Sequence, residues 1–392
     1  MKKSIAVLGS TGSIGSTTLK VINQNHKLFN IQILAANSNY KKICDQIKKF
    51  KPSIFIISNK KILFKIKKKF KKNKKIYLIN KFSEIPANIK KIDITISAIP
   101  GISGLDSTLR FIKISNKMLL ANKESVICGW QLIHKEAKKN KTKILPLDSE
   151  HFSIHQLLKG IHSSEIHKIY ITASGGPFLN LPYNKFSQIT YRQALKHPKW
   201  SMGKKISIDS ATMMNKILEL IEAKKIFNLD YSKFEIIIHP QSLVHAIVEF
   251  KNGISKFLYH EPNMIIPISN ALLDTRIDIR KLINYKPKKN LPKYLNFIPV
   301  DKRRFPVINL IPILNKHKST PIIINAINEI LVDQFINKKI CFNSINKYLF
   351  KVLKDKNYKK YAIQSPNNLK HIYKIDQWAR KTTFKIINES NI

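Results

Sequence analysis

The two carboxylates of LPLDSEH, Asp148 and Glu150, stand two residues apart at the end of an apolar run. They do so in a chain whose 24 acidic residues are outnumbered by 70 lysines and arginines. On an extended segment residues two apart point the same way, so the pair can converge. Unpaired, two such carboxylates repel and one is driven towards its protonated form. A divalent cation removes that penalty, and hard cations such as Mg2+ and Mn2+ prefer oxygen ligands. The bland alternative is a pair of exposed acids answered by lysines. Further along, DSATMMNKILELIEAKKIF, residues 209 to 227, predicts a helix with Asp209 or Ser210 as its N-cap. On that helix Asn215 and Glu219 are i,i+4 and Lys216 and Glu219 are i,i+3, so the three flank one surface. Ser210, Asn215, Lys216 and the glycine turn beginning at Ser174 would offer hydroxyl, amide, ammonium and backbone N–H groups to an anion. A capped helix carrying an ordinary Lys–Glu pair is the competing reading. HPKWSMGKK, His197 to Lys205, reads either as a lid whose Trp200 covers a ligand or as a loop pinned to the core by that indole.

Such groups need a scaffold that brings them to one crevice. From Ser4 to about Asp148 short apolar runs alternate with helical segments, the pattern of a parallel sheet with crossover helices. SIAVLG, NIQILAA, SIFIIS, IDITISAI, KMLLAN and KILPLD are the strand candidates. In a doubly wound sheet ligands bind beyond the carboxyl ends of the strands. Lys123 and Glu124 follow one such end, and Asp148, Ser149 and Glu150 follow another. The first strand runs into GSTGSIG, Gly9 to Gly15, and then a helix. Glycines there allow a tight turn and close approach to a pyrophosphate, and the helix supplies free N–H groups. The spacing G-x-x-G-x-x-G is an imperfect dinucleotide fingerprint with a plain structural turn as its alternative; the strand–turn–helix context favours the nucleotide. After the second strand, where an NAD enzyme carries an acid, stand Asn37, Ser38 and Asn39, then Lys41 and Lys42. That favours a 2′-phosphate and hence NADP. Past Glu150 the pattern turns α+β: KIYITASGGPF, EIIIHP, SLVHAIVEF and ISKFLYHEP are strands, the last two joined by an Asn-Gly hairpin. The end of the chain reads as helices, INAINEILVDQFI most clearly.

The formal net charge of +46 would suit nucleic acid or an anionic membrane. The lysines, however, are spread along the whole chain, including KKILFKIKKKFKKNKK (60 to 75), in company with abundant Ile and Asn. They read as a solvated surface with no specific nucleic-acid partner. Cys44, Cys128 and Cys341 are odd in number and far apart, which fits a reducing compartment. MKKSIAVLG lacks a cleavage site, and no apolar stretch reaches membrane-spanning length. A cytoplasmic protein without a membrane partner is expected. Two rivals are a different NADP oxidoreductase that needs no carboxylate trio and a nucleic-acid binder with a basic face interleaved with aromatics.

GSTGSIG, LLANKES, LPLDSEH, ASGGPF, HPKWSMGKKISIDSATMMNK and IHPQS stand in the order found in the 1-deoxy-D-xylulose 5-phosphate reductoisomerases. The chain resembles that family from its N-terminus to about residue 270, and INAINEI is similar to its helical C-terminal domain. The resemblance implies a Rossmann-like doubly wound NADPH-binding domain over 1–148, an α+β catalytic and connective domain over 149–290, and a linker with a helical C-terminal domain over 291–392. It implies Asp148, Glu150 and Glu219 as ligands of Mg2+, Mn2+ or Co2+. Ser174, Ser210, Asn215 and Lys216 match the substrate-phosphate site. Lys123, Ser149, Glu150, His197, Trp200 and Glu219 match further substrate contacts, with Trp200 and Met202 on the lid. Thr11, Gly12, Ser13, Ile14, Asn37, Ser38, Asn39, Asn122, Glu124, Met202 and Gly203 match the cofactor site. Lys123, Asp148, Glu150, His197 and Glu219 are the implied catalytic set, with Glu150 and Lys123 as candidates for moving the proton. The implied reaction rearranges a phosphorylated ketose by retro-aldol cleavage and re-addition, then reduces the resulting aldehyde with NADPH, in a homodimer. The sequence departs from the family pattern at Asn37 and Ser38, where Gly and a basic residue are expected. It departs again at Asn263 and Ile265, where Asp and Arg are usual.

Overall fold

All six apolar runs before Asp148 form strands. In the computed structural model, which describes residues 2–73, 75–200, 202–273, 278–279 and 292–390, they are β1 (Lys3–Leu8), β2 (Phe29–Ala36), β3 (Ile54–Ile57), β5 (Ile92–Ser97), β6 (Ser115–Leu120) and β7 (Lys143–Pro146), with a further strand β4 (Tyr77–Ile79). Every pairing among them is parallel. The sheet order is β4-β3-β2-β1-β5-β6-β7, so the direction of winding reverses between β1 and β5. Helices lie between the strands: α1 (Ser13–Gln24), α2 (Tyr40–Phe50), α3 (Lys60–Lys69), α4 (Gly104–Lys113) and α5 (Lys123–Asn140), with α6 (Ser149–Leu157) after β7. A parallel sheet covered on both faces has continuous apolar strands rather than alternating ones. All four residues of β3 are buried, as are the last four of β1. The edge strand β4 went unforeseen because three residues, YLI, with one of them buried, carry too little apolar signal.

The chain divides into two compact units, and this sheet belongs to the first. The helix Ile265–Leu273 also belongs there, although more than a hundred residues separate it from β7. Ile268, Ala271, Leu272 and Leu273 join the core of that unit, with Met264 and Ile265 packed against it. Lys117 Nζ donates to the Ala271 carbonyl at 2.6 Å. Ile265, where the resemblance implies Arg, thus adds apolar contact.

The second unit is built on a mixed sheet of β8 (Ile166–Ala173), β9 (Phe234–Ile238), β10 (Val244–Phe250), β11 (Ser255–Tyr259) and β12 (Ile298–Pro299), in the order β11-β10-β8-β9-β12. β10 and β11 form the antiparallel hairpin expected from KNG. The C-terminal helices Thr320–Ile336, Phe342–Leu353 and Leu369–Glu389 follow, and Arg380 on the last of these ion-pairs with Glu329 and Asp376. Among the described residues no helix is long and apolar enough to cross a membrane. The sequence border at 290/291 lies outside the described residues.

Two local expectations are overturned. The helix predicted over 209–227 is two helices, Lys204–Ala211 and Met214–Phe227, broken where Met213 takes a left-handed φ of 66°. Asp209 and Ser210 therefore end the first helix and do not cap the second. The buried Asp209 carboxylate instead pairs with Lys205 Nζ at 2.8 Å and accepts from Asn328 Nδ2 at 2.7 Å. Likewise the Asp148–Glu150 segment is not extended. The Asp148 carbonyl accepts the Phe152 N–H at 2.8 Å and its Oδ1 the Glu150 N–H at 3.4 Å, so Asp148 caps α6 and Glu150 sits in the first turn.

Candidate active site

In the first unit the reversal of winding makes the crevice that a doubly wound sheet offers to ligands. Gly9 leaves β1 with φ 85°, and a Cβ there would come within 2.7 Å of the Ala98 carbonyl carbon at the end of β5. A Cβ on Gly15 would lie 2.7 Å from Ser10 Cα. The turn is thus as tight as backbone allows. The next helix, α1, begins at Gly12 with no side-chain cap and no acid in its first turn. Its leading N–H groups and positive dipole end face the turn carrying Thr11, Ser13 and Ile14, a fit for a pyrophosphate. Asn37, Ser38 and Asn39 are exposed after β2, and Asn39 caps α2 by accepting the Lys42 N–H.

Farther along the same sheet, β6 and β7 deliver the charged groups. Asn122 caps α5 by accepting the Ser125 N–H at 2.6 Å, and its Nδ2 donates to the carbonyls of Ile99 and Gly101. It therefore ties the loop after β5 to the one after β6. Lys123 and Glu124 follow, both buried. Lys123 Nζ lies 2.9 Å from Asp148 Oδ2, across the ends of the adjoining strands β6 and β7. On the other side of that carboxylate His151 Nδ1 lies 3.5 Å from Oδ1. Ser149 Oγ donates to Glu150 Oε2 at 2.5 Å. Two carboxylates, one ammonium and one imidazole therefore crowd the end of β7.

In the second unit the anion-cradle residues assemble on two turns. Ser174 follows β8, and Gly175 and Gly176 come next with φ values of 82° and 67°. A Cβ on Gly176 would lie 2.8 Å from the Ser210 carbonyl oxygen, so glycine is what lets the turn touch the end of the Lys204–Ala211 helix. After the break at Met213, Asn215 and Lys216 occupy the first turn of the Met214–Phe227 helix, which has no side-chain cap and no acid there. Asn215 Nδ2 donates to Glu219 Oε1, and Lys216 Nζ lies 2.7 Å from Glu219 Oε2, all three residues being buried.

His197 joins this group, and its tautomer follows from its contacts. Nδ1 accepts backbone N–H groups of Lys199 at 3.2 Å and Trp200 at 2.9 Å, so the proton sits on Nε2 and is donated to Ser174 Oγ at 2.9 Å. Burial, with the Lys216 charge second, depresses its pKa to about 4, keeping the ring neutral. Ser174 Oγ also accepts the Gly176 N–H at 3.1 Å, which leaves its own hydrogen to be donated to an anion. Trp200 is half-buried and meets the His245 ring edge to face at 6.0 Å, and His245 stacks on His260 at 3.7 Å. Met202 and Gly203 lead into the next helix.

Profiles of known families match the chain in three stretches: 1-deoxy-D-xylulose 5-phosphate reductoisomerase over residues 5–129, its C-terminal domain over 144–227, and the DXP reductoisomerase C-terminal domain over 260–382. A protein of that name from Pelagibacter ubique is 46% identical over 389 residues, covering 96% of this chain and 97% of the relative. The chain belongs to the 1-deoxy-D-xylulose 5-phosphate reductoisomerase family. Clostridium tetani has a relative of the same name, 40% identical, with 95% and 97% covered. Among solved structures, a DOX-P reductoisomerase in complex with NADPH, fosmidomycin and magnesium superposes with a TM-score of 0.92 at 33% identity, with 98% of each chain covered. The Zymomonas mobilis reductoisomerase in complex with NADPH gives 0.85 at 33% identity, with 99% of each chain covered. Two residues of these surroundings went unassigned in the sequence. His151 stands in the LPLDSEH string itself, and its spacing of three from Asp148 becomes a contact because α6 starts at Ser149. Gln46, buried and bonded to Ser10, has no motif that could have flagged it.

Proposed function

We propose that this chain carries out the family reaction: NADPH- and divalent-cation-dependent rearrangement and reduction of 1-deoxy-D-xylulose 5-phosphate to 2-C-methyl-D-erythritol 4-phosphate, in non-mevalonate isoprenoid precursor synthesis. The observation that carries the reading is the Lys123–Asp148 pair, 2.9 Å apart at the ends of β6 and β7, on a sheet whose switch point holds the Gly9–Gly15 turn. Asp148, Glu150 and Glu219 are assigned as the cation ligands; they offer the carboxylate oxygens that a hard divalent ion takes. When bound, that ion would act as a Lewis acid on the ketone and neighbouring hydroxyl, worth several kcal/mol in stabilising developing negative charge. NADPH, when bound, would supply the hydride that reduces the rearranged aldehyde. Thr11, Gly12, Ser13 and Ile14 would hold its pyrophosphate, while Asn37 to Asn39, Asn122, Glu124, Met202 and Gly203 complete the assigned contacts.

The chain's own groups have definable tasks. Lys216, Asn215 and the Ser174 and Ser210 hydroxyls would hold the substrate phosphate by charge-assisted hydrogen bonds, remote from the reacting carbons. Binding energy spent there orients the carbon skeleton. His197, neutral, would fix Ser174 as a donor and hold the chain entering Trp200, the indole assigned to cover the substrate. Lys123 sets its ammonium 2.9 Å from Asp148 Oδ2, and Lys123 and Glu150 are the two candidates for exchanging a proton with substrate oxygens. Ser149 orients the Glu150 carboxylate. We further propose a cytoplasmic homodimer. Cys44, Cys128 and Cys341 form no disulfide with one another, which suits a reducing compartment. Among the described residues the edge strand β11 pairs on one side only, with Ile254 55% and Phe257 52% exposed beside it, as a surface for a second copy.

The test is to incubate the protein with deoxyxylulose phosphate, NADPH and Mg2+ or Mn2+, follow absorbance and identify the product. Methylerythritol phosphate formed in step with NADPH consumption is expected. NADPH consumption that yields only an unbranched alcohol would contradict the proposal.

A further inference from the structure

We infer that Lys42 is the residue that reads the nucleotide's 2′-phosphate, standing in for the basic residue missing at Asn37 and Ser38; the inference rests on the nucleotide site proposed above. The 2′-oxygen of a dinucleotide on this fold lies past the carboxyl end of β2, beside the first glycine turn. The three residues that follow β2, Asn37, Ser38 and Asn39, carry no charge. Two of them are already committed to starting α2. Asn39 Oδ1 accepts the Lys42 N–H at 3.1 Å, and the Ser38 carbonyl accepts the Tyr40 N–H at 2.8 Å.

Lys41 and Lys42 both stand exposed in the first turn of α2, yet they differ in direction. The Lys42 ammonium reaches back 31 residues along the chain, donating to the Thr11 carbonyl at 3.0 Å and to Ser16 Oγ at 3.4 Å. It therefore bridges the turn after β1 and the loop after β2. Lys41 makes no such contact among the described residues. The stem of Lys42 also starts from a fixed base. Gln46, one turn on, donates from Nε2 to the Ser10 carbonyl at 2.9 Å and accepts from Ser10 Oγ at 2.7 Å, both residues being buried. α2 is thus locked to the glycine turn, and the ammonium hangs over it.

Both hydrogen-bond partners of Lys42 Nζ are neutral oxygens. A phosphate monoester, with close to two negative charges and three strong acceptors at neutral pH, replaces them with charge-assisted bonds. A nucleotide carrying a 2′-hydroxyl gains nothing comparable. Lys42 therefore discriminates between the two cofactors, and Lys41 contributes only a diffuse, salt-screened field.

The test is direct binding of four nucleotides, without substrate or turnover: NADPH, NADH, adenosine 2′,5′-bisphosphate and ADP, titrated against the unaltered protein, Lys42→Ala, Lys42→Arg and Lys41→Ala. Lys42→Ala is expected to weaken NADPH and the 2′,5′-bisphosphate roughly 10- to 100-fold, the scale of one charge-assisted contact, while NADH and ADP stay within about twofold. Lys42→Arg should keep most of the preference, and Lys41→Ala should alter no ratio by more than about threefold. Equal weakening of all four nucleotides by Lys42→Ala would overturn the inference by showing that the lysine merely braces the turn. Transfer of the loss to Lys41→Ala would also overturn it. If the unaltered protein bound none of the four, the nucleotide site itself would fall and Lys42 with it, an outcome distinct from the other two.

Discussion

The glycine turn of the first unit and the cradle of the second are both proposed to hold phosphates, by opposite means. In the turn, Gly9 and Gly15 leave no room for a Cβ, and α1 begins without a side-chain cap, so the donors there are main-chain N–H groups. In the cradle the donors are mainly side chains, three of them held by a named partner: Ser174 by His197, and Asn215 and Lys216 by Glu219. A backbone site constrains where side chains are absent and tolerates wide change around it. A side-chain site depends on identities, and its spelling is long and literal.

The comparison is broken most easily at the glycines. Gly15→Ala or Gly9→Ala should weaken NADPH binding by two or more orders of magnitude and destabilise the first unit by roughly 1 to 3 kcal/mol or more, since the added carbon meets backbone that cannot move aside. Substrate-phosphate affinity should be far less affected. Calorimetric titration and thermal melting would check this, and near-normal NADPH binding by Gly15→Ala would show that the turn is not a backbone cradle. Lys216→Ala should do the reverse, raising KM by one to two orders of magnitude, on the scale of roughly 1.5 to 3 kcal/mol for a charge-assisted contact. NADPH affinity should hold; steady-state kinetics beside direct cofactor titration separates the two.

A subtler difference concerns pH. The turn contains no titrating side chain, whereas the cradle holds His197 with its pKa depressed to about 4 from a usual 6.5, first by burial and then by Lys216. With fewer protons bound in the folded than in the unfolded state, this group leaves stability untouched above about 6.5 and erodes it progressively as pH falls towards 4. The His197 ring resonances should therefore stay in their neutral position between pH 8 and about 5.5 in an NMR titration. A midpoint near 6.5 would contradict the assignment of Nε2–H as donor to Ser174. The smallest effect expected is that of salt. Any nucleic-acid binding driven by the +46 charge should vanish at moderate ionic strength in a filter or gel assay, because non-specific neutralisation of phosphates is lost with counterion release. Selective binding that survives would give the charge a function of its own.

The strands were legible because burial on both faces writes β1 and β3 as unbroken apolar runs and the rest as short apolar-rich segments, and only the three-residue β4 and the two-residue β12 were too short to register. The local geometry around the chemistry was less legible. ATMMNK contains no glycine or proline, so nothing in its spelling marks the left-handed Met213 that ends one helix and starts the next. Yet that break is what places Asn215 and Lys216 in a helix's first turn rather than its middle. Similarly, Asp148 looked like one of two alternating residues on a strand, and the cap it forms on α6 is what brings His151 to its other side. The Asp209 carboxylate, read as a cap, is instead satisfied by Lys205 and by Asn328, more than a hundred residues away; pairing at that range leaves no trace in local periodicity.

The central claim is that nucleotide binding and cation-dependent chemistry rest on separate groups, and one pair of variants tests it most directly. Asp148→Asn and Glu219→Gln keep side-chain size, remove one negative charge each from the assigned cation ligands, and leave the Gly9–Gly15 turn untouched. NADPH titration and NADPH consumption with deoxyxylulose phosphate are to be measured on the same samples after chelator treatment and again with excess Mn2+. The expected result is near-normal NADPH affinity, almost no consumption, and partial recovery with Mn2+. Turnover at the unaltered rate by either variant after chelator treatment would contradict the account, as would loss of NADPH binding in a variant that melts normally.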